Sequence, residues 1–233
     1  MDNATFRSRR FLILLSTLAV VLAVQSFSQR LAASSVITDV LVILAVLTVF
    51  FIVFDQSPQR LTALVTAMAA IAITGAHYVL PDRLHAPLAV AYHGLLIVFL
   101  GWALVEILRS LFAEKPMQTD DVLGAVCGYL IAGAAWGNLY ALSDLLVPGS
   151  FSVSPAIQGE LADWHGRRAL FTYLSFVTLS SMGYGDVTPT RAPATTMVLV
   201  EVVFGQFYLA VVVAQIVSMR LAQAVRSLGP GSK

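Results

Sequence analysis

Six runs of about 20 predominantly apolar residues restrict this chain more than any other feature, because a helix of that length and character matches the hydrocarbon core of a bilayer. They extend from Phe11 to Phe27, Val36 to Phe54, Leu61 to Leu80, Leu88 to Leu108, Val122 to Leu142 and Thr195 to Leu221. With 58% apolar against 12% charged residues in 233, and a mean hydropathy of +0.82, the chain is too apolar to fold around one soluble core. The expectation is an all-α membrane protein with six transmembrane helices. Arg7, Arg9 and Arg10 ahead of the first run would also suit a secretory signal peptide, but no small-x-small cleavage site follows them. Cys127, the single cysteine, falls inside the fifth run and reads as a small core residue.

Lysine and arginine in the links set an orientation. With a cytoplasmic N-terminus the inside carries Arg7, Arg9, Arg10, Arg60, Arg109, Lys115, Arg220, Arg226 and Lys233, and the outside carries Arg30, Arg83, Arg167, Arg168 and Arg191. Nine against five favours both termini inside, as an even number of spans requires. A net charge of +1 without any basic cluster points away from nucleic acid.

A shorter apolar stretch, Ala169 to about Ser180, lacks the length of a span and suits a re-entrant pore helix. It leads straight into Thr178-Leu179-Ser180-Ser181-Met182-Gly183-Tyr184-Gly185-Asp186. Irregular backbone at membrane depth is tolerated where it lines a watery path, and rings of backbone carbonyls can replace the hydration shell of a cation. Aiming successive carbonyls one way requires a backbone that alternates into positive φ, which Gly183 and Gly185 tolerate. On this reading the carbonyls of Ser181, Met182, Gly183 and Tyr184, with the Ser181 hydroxyl at the inner end, form the ion sites. Gly185 continues the alternation, Tyr184 points outward as a packing strut, and Asp186 sits at the outer mouth.

Gly-Tyr-Gly-Asp after a hydroxyl-rich Thr-x-Ser-Ser run resembles the filter of tetrameric potassium channels, in particular bacterial six-span members without a charged voltage sensor. The resemblance is specific over roughly the last hundred residues and architectural before them. It implies a passive conductor and not an enzyme, with K+ held at Ser181, Met182, Gly183 and Tyr184 and no organic cofactor. It also implies a multi-pass protein of the inner or plasma membrane. One filter per chain requires three further copies, so the implied assembly is a homotetramer in the lipid bilayer. Two residues depart from the family pattern: Ser181 replaces the usual threonine and Met182 the usual valine. They keep a non-selective cation channel open as the alternative to potassium selectivity.

The polar stretch at 113–121 divides a four-helix membrane domain, 1–112, from a pore domain, 122–226, followed by a short tail, 227–233. Voltage sensing needs charge that moves through the field. The fourth run offers only His93 and Glu106, with Arg109 in i,i+3 reach of Glu106, so weak or absent voltage sensing is expected. In the last run Gly205 occupies the place of a gating hinge in the resembled family, and close helix packing is an equal alternative. Gln206, Leu209 and Val213 should border the central cavity. Glu201, an acid at membrane depth, is expected to support the filter from behind, near Thr178 or Ser180, with a place facing the ion path, where it would attract cations, as the alternative. The segment Ser143 to Gly166 reads as an extracellular turret with Trp164 as an interface anchor. His77, His85, His93 and His165 leave a membrane haem or redox protein as a remote alternative.

Overall fold

The computed structural model describes residues 10–27, 34–55, 57–113 and 119–228. Seven α-helices account for most of it: α1 Arg10–Phe27, α2 Ser34–Val53, α3 Arg60–Ala76, α4 His85–Leu111, α5 Thr119–Leu146, α6 Trp164–Leu179 and α7 Ala192–Leu228. Strands β1 Phe151–Val153 and β2 Val187–Pro189 form a small antiparallel ribbon, in the register Phe151 to Pro189, Ser152 to Thr188 and Val153 to Val187.

Among the described residues four stretches are long and apolar enough to cross a membrane: Val36–Val53 in α2, Asp82–Leu111 in α4 and the short turn before it, Asp120–Leu146 in α5 and Ala192–Ser218 in α7. α1 and α3 are apolar but shorter. The third expected run is corrected at its end: α3 stops at Ala76, and residues 77–80 form a turn in which the Tyr78 amide donates to Gly75 and those of Val79 and Leu80 to Ala76. Pro81 follows, and the residue before a proline is disfavoured in the α region, so hydropathy continues where the helix cannot. α4, α5 and α7 instead run past both ends of the runs expected from sequence, because polar residues can extend a helix beyond the part that a membrane would cover. Asp120 and Asp121 stand in the first turn of α5, where the exposed amides favour negative charge. The 113–121 link lies mostly outside the described residues, as does the tail from 229 onward.

Polar contacts sort the helix ends into two groups. At one end Arg10 pairs with Asp120 at 3.5 Å, the Ser57 hydroxyl donates to Glu106 at 3.3 Å, and Arg109 pairs with Glu106 at 3.0 Å. At the other, Tyr78 and Arg168 donate to Asp39, and Arg167 pairs with Asp144. The start of α1, the end of α2, the start of α3, the end of α4 and the start of α5 therefore share one side. Helices α1 to α5 run in alternating directions.

The larger apolar core joins α1 to α5 with the middle of α7, through residues such as Leu14, Val49, Phe54, Phe99, Ile107, Ile131 and Tyr208. The smaller one gathers Tyr140, Phe151, Leu170, Phe171, Leu174 and Val187 around the ribbon and α6. α5 and α6 meet backbone to backbone at Gly137, where a Cβ would lie 2.9 Å from the Thr172 Cα.

Candidate functional site

α6 opens five residues earlier than hydropathy suggests, at Trp164, because Asp163 caps it: the Asp163 carboxylate accepts the Gly166 amide at 2.6 Å. Trp164 is thus the first residue of α6 and not a turret residue. Its ring lies 4.9 Å from Tyr92, 5.1 Å from His77 and 5.5 Å from His93. The His85 ring lies tilted against His77 at 4.3 Å, His93 is hydrogen-bonded to Asn138 at 2.8 Å, and among the described residues no group of three or more His, Cys, Asp or Glu could hold a metal ion.

At its other end α6 meets the middle of α7. A Cβ on Gly205 would fall 2.6 Å from the Leu179 carbonyl oxygen and 3.2 Å from the Leu179 Cα. Glycine there admits backbone against backbone. Glu201, one turn before Gly205, is fully buried and accepts hydrogen bonds from Ser175 of α6 at 2.5 Å and from Tyr140 of α5. The Ser175 hydroxyl also lies 2.8 Å from the Gly133 carbonyl. Glu201 therefore engages the back of α6 one turn earlier than Thr178 or Ser180, the partners expected from sequence. Ser180 turns its hydroxyl onto its own helix, at 2.6 Å from the Phe176 carbonyl, and Thr178 is buried beside Tyr140.

From Ser181 the backbone leaves the helix, with the Ser181 amide still bonded to Thr178 and the Met182 amide to Val177, each at 2.9 Å. φ is +57° at Ser181, +59° at Gly183 and +77° at Gly185. Every second residue is left-handed, and the series begins one step earlier than the glycines alone suggest. The Gln206 side-chain amide donates to the Ser181 hydroxyl at 2.9 Å. Residues 180–185 are exposed in the single chain, Met182 to 60% and Tyr184 to 65%. Leu209 and Val213 on α7 are exposed as well.

The strip is fastened where it returns. The Tyr173 hydroxyl of α6 donates to Asp186 at 2.6 Å, the Ser154 amide donates to the Asp186 carbonyl at 2.8 Å, and β2 pairs with β1 immediately afterwards. Helix, strip and ribbon thus descend from the end of α5 to mid-α7 and come back to the same end. Sequence reasoning missed Tyr173, Ser175 and Tyr140. Nothing in an isolated tyrosine or serine on an apolar face announces a partner that another element supplies.

A family model described as an ion channel matches residues 156–221. Over those residues the chain is similar to an ion-channel domain. The match covers the end of the turret, α6, the strip with alternating φ, β2 and most of α7, the parts whose geometry is given above. No curated protein and no solved structure matches the chain. Ion-channel domains pass ions without bond chemistry, so the protein is not an enzyme. Together with the apolar helices, the match marks a multi-pass membrane protein.

Proposed function

We propose that this protein is the subunit of a homotetrameric, potassium-selective channel whose filter is the strip from Ser181 to Gly185. The observation that carries the reading is the alternation of positive φ at residues 181, 183 and 185. A strip that alternates in hand can turn successive carbonyls the same way, which is what replacing a cation's hydration shell with backbone oxygen demands. Four copies around one axis would close that strip into rings. The exposure of 180–185 and of the Leu209 and Val213 face of α7 fits surfaces that neighbouring copies and the pore would cover.

In this reading all six apolar helices span the membrane, α1 and α3 by tilting less than the longer ones or with thinned lipid around them. α6 is re-entrant, both termini are cytoplasmic, and K+ binds at Ser181, Met182, Gly183 and Tyr184. Glu201 and Asp186 fix the filter from behind and from its outer end. Gln206 holds the Ser181 hydroxyl at the inner end, and Leu209 and Val213 line the cavity.

Purified protein in planar bilayers, with K+ on one side and Na+ on the other, tests the proposal. A reversal potential far from zero in the potassium direction is expected. A reversal near zero would make the protein a non-selective cation channel, the alternative that Ser181 and Met182 leave open. No current, with intact tetramers in the membrane, would overturn conduction through this strip.

A further inference from the structure

Asp39 and Arg168 are each 4% exposed, and neither belongs to the strip or its supports. Asp39 stands in the second turn of α2. Its carboxylate accepts from Arg168 through Nη1 and Nη2, both at 3.1 Å to Oδ1, from the Tyr78 hydroxyl at 2.7 Å and from His165 Nε2 at 3.1 Å. Arg168 Nη1 also donates to the Tyr92 hydroxyl at 3.3 Å. Tyr78 follows α3, Tyr92 belongs to α4, and His165 and Arg168 belong to α6. One ion pair therefore ties three helices of the N-terminal bundle to the helix that ends at the strip.

A carboxylate removed from water is tolerated when paired and fully hydrogen-bonded, and four donor groups from α6 and the turn after α3 meet that condition. The rest of α6 explains why the tie matters beyond stability. α6 is a continuous helix of 16 residues, held at its far end by Glu201, the Gly205 crossing and the Tyr173 to Asp186 bond. A rod fixed at both ends holds its orientation, and release at one end tilts the other. α7 packs chiefly on α5, α6 and β2, and the bundle's apolar core reaches it through α5, so the ion pair gives the bundle a second, polar route to the conducting strip, through α6.

We infer that Asp39 is a positioning residue for conduction: acting through Arg168 and His165, it makes the N-terminal bundle a buttress that sets the orientation of α6 and hence of residues 181–185. The inference rests on the channel reading above, and its test separates the two. Full-length Asp39→Asn, Asp39→Glu and Tyr78→Phe proteins are compared with wild type in bilayers, and by hydrogen exchange in the same lipid. Asp39→Asn is expected to lower open probability and to speed amide exchange at residues 181–185 by about tenfold, within the range of couplings between packed elements. Exchange in α7 should stay unchanged, and Asp39→Glu should restore both readouts. Tyr78→Phe keeps the ion pair and covers the case in which Asp39→Asn does not assemble; a smaller change in the same direction is expected. Asp39→Asn tetramers with wild-type open probability and wild-type exchange at 181–185 would overturn the inference, as would Tyr78→Phe tetramers indistinguishable from wild type should Asp39→Asn fail to assemble. A wild-type protein that carries no current would instead refute the channel reading, and the exchange measurement would still decide the role of Asp39.

Discussion

Ser181 adopts a φ of +57°, a conformation that costs a residue with a side chain roughly 1–2 kcal/mol, and only surrounding structure keeps it there. Gly183 and Gly185 carry the same backbone without that cost. Within one subunit a Cβ on Gly183 would meet nothing within 4 Å, so Gly183→Ala leaves the subunit's own packing untouched and strains its backbone. We expect it to abolish potassium current while tetramers still elute at the wild-type position in size-exclusion chromatography. Gly205 presents the opposite situation: its helix is regular, and the obstacle is the Leu179 carbonyl at 2.6 Å. Gly205→Ala should force α6 and α7 apart and destabilise the folded protein by about 1–3 kcal/mol, read as a lower Tm in detergent. The glycines at 183 and 185 were legible because a repeating Gly-x-Gly between apolar runs has few other uses. Ser181 was not, since serine does not advertise a left-handed backbone. At Gly205 the residue type fits both a hinge and a crossing, and only the position of Leu179 shows the crossing.

At the scale of elements, α6 is governed by what grips it. Glu201→Ala would leave the Tyr140 hydroxyl buried without its carboxylate acceptor, at about 1–3 kcal/mol, while Ser175 keeps the Gly133 carbonyl. The expected outcome is a lower melting temperature and weaker ion occupancy, read as a higher K+ concentration needed to protect the tetramer from heat. Glu201→Gln, which still accepts from Tyr140, should lose less. At the other end of the strip, Ser154→Pro removes the amide that donates to the Asp186 carbonyl. Because β1 and β2 are only three residues long, the ribbon has little else to hold it, and conduction should run down faster in sustained recordings than in wild type. Hydropathy located the helices but not their ends, because the length of an apolar run measures what lipid would cover and not where hydrogen bonding stops. The ribbon was invisible for a different reason: strands of three residues are too short to show an alternating pattern.

For the whole molecule, the fourth apolar run sets an electrical expectation. α4 holds no arginine within its apolar stretch, its His93 is hydrogen-bonded to Asn138, and Arg109 is held by Glu106 at one end. Opening should therefore depend little on potential, and a voltage ramp in symmetrical K+ should give a nearly linear current. That absence was plain in the sequence, as was the filter-like strip between two long apolar stretches. The joining of the two halves was not: counting Arg167 and Arg168 as loop charges sorted the spans by side but hid that the first is paired with Asp144 and the second is buried against Asp39. An ion pair between residues 129 positions apart cannot be read from local composition. It also imposes a schedule on synthesis. At roughly 5–20 residues per second, a growing chain would carry Asp39 in a newly inserted α2 for about ten seconds before Arg168 leaves the ribosome. During that interval Asp39 lacks the donors that α6 later brings, so the two halves of the buried pair enter the membrane at different times.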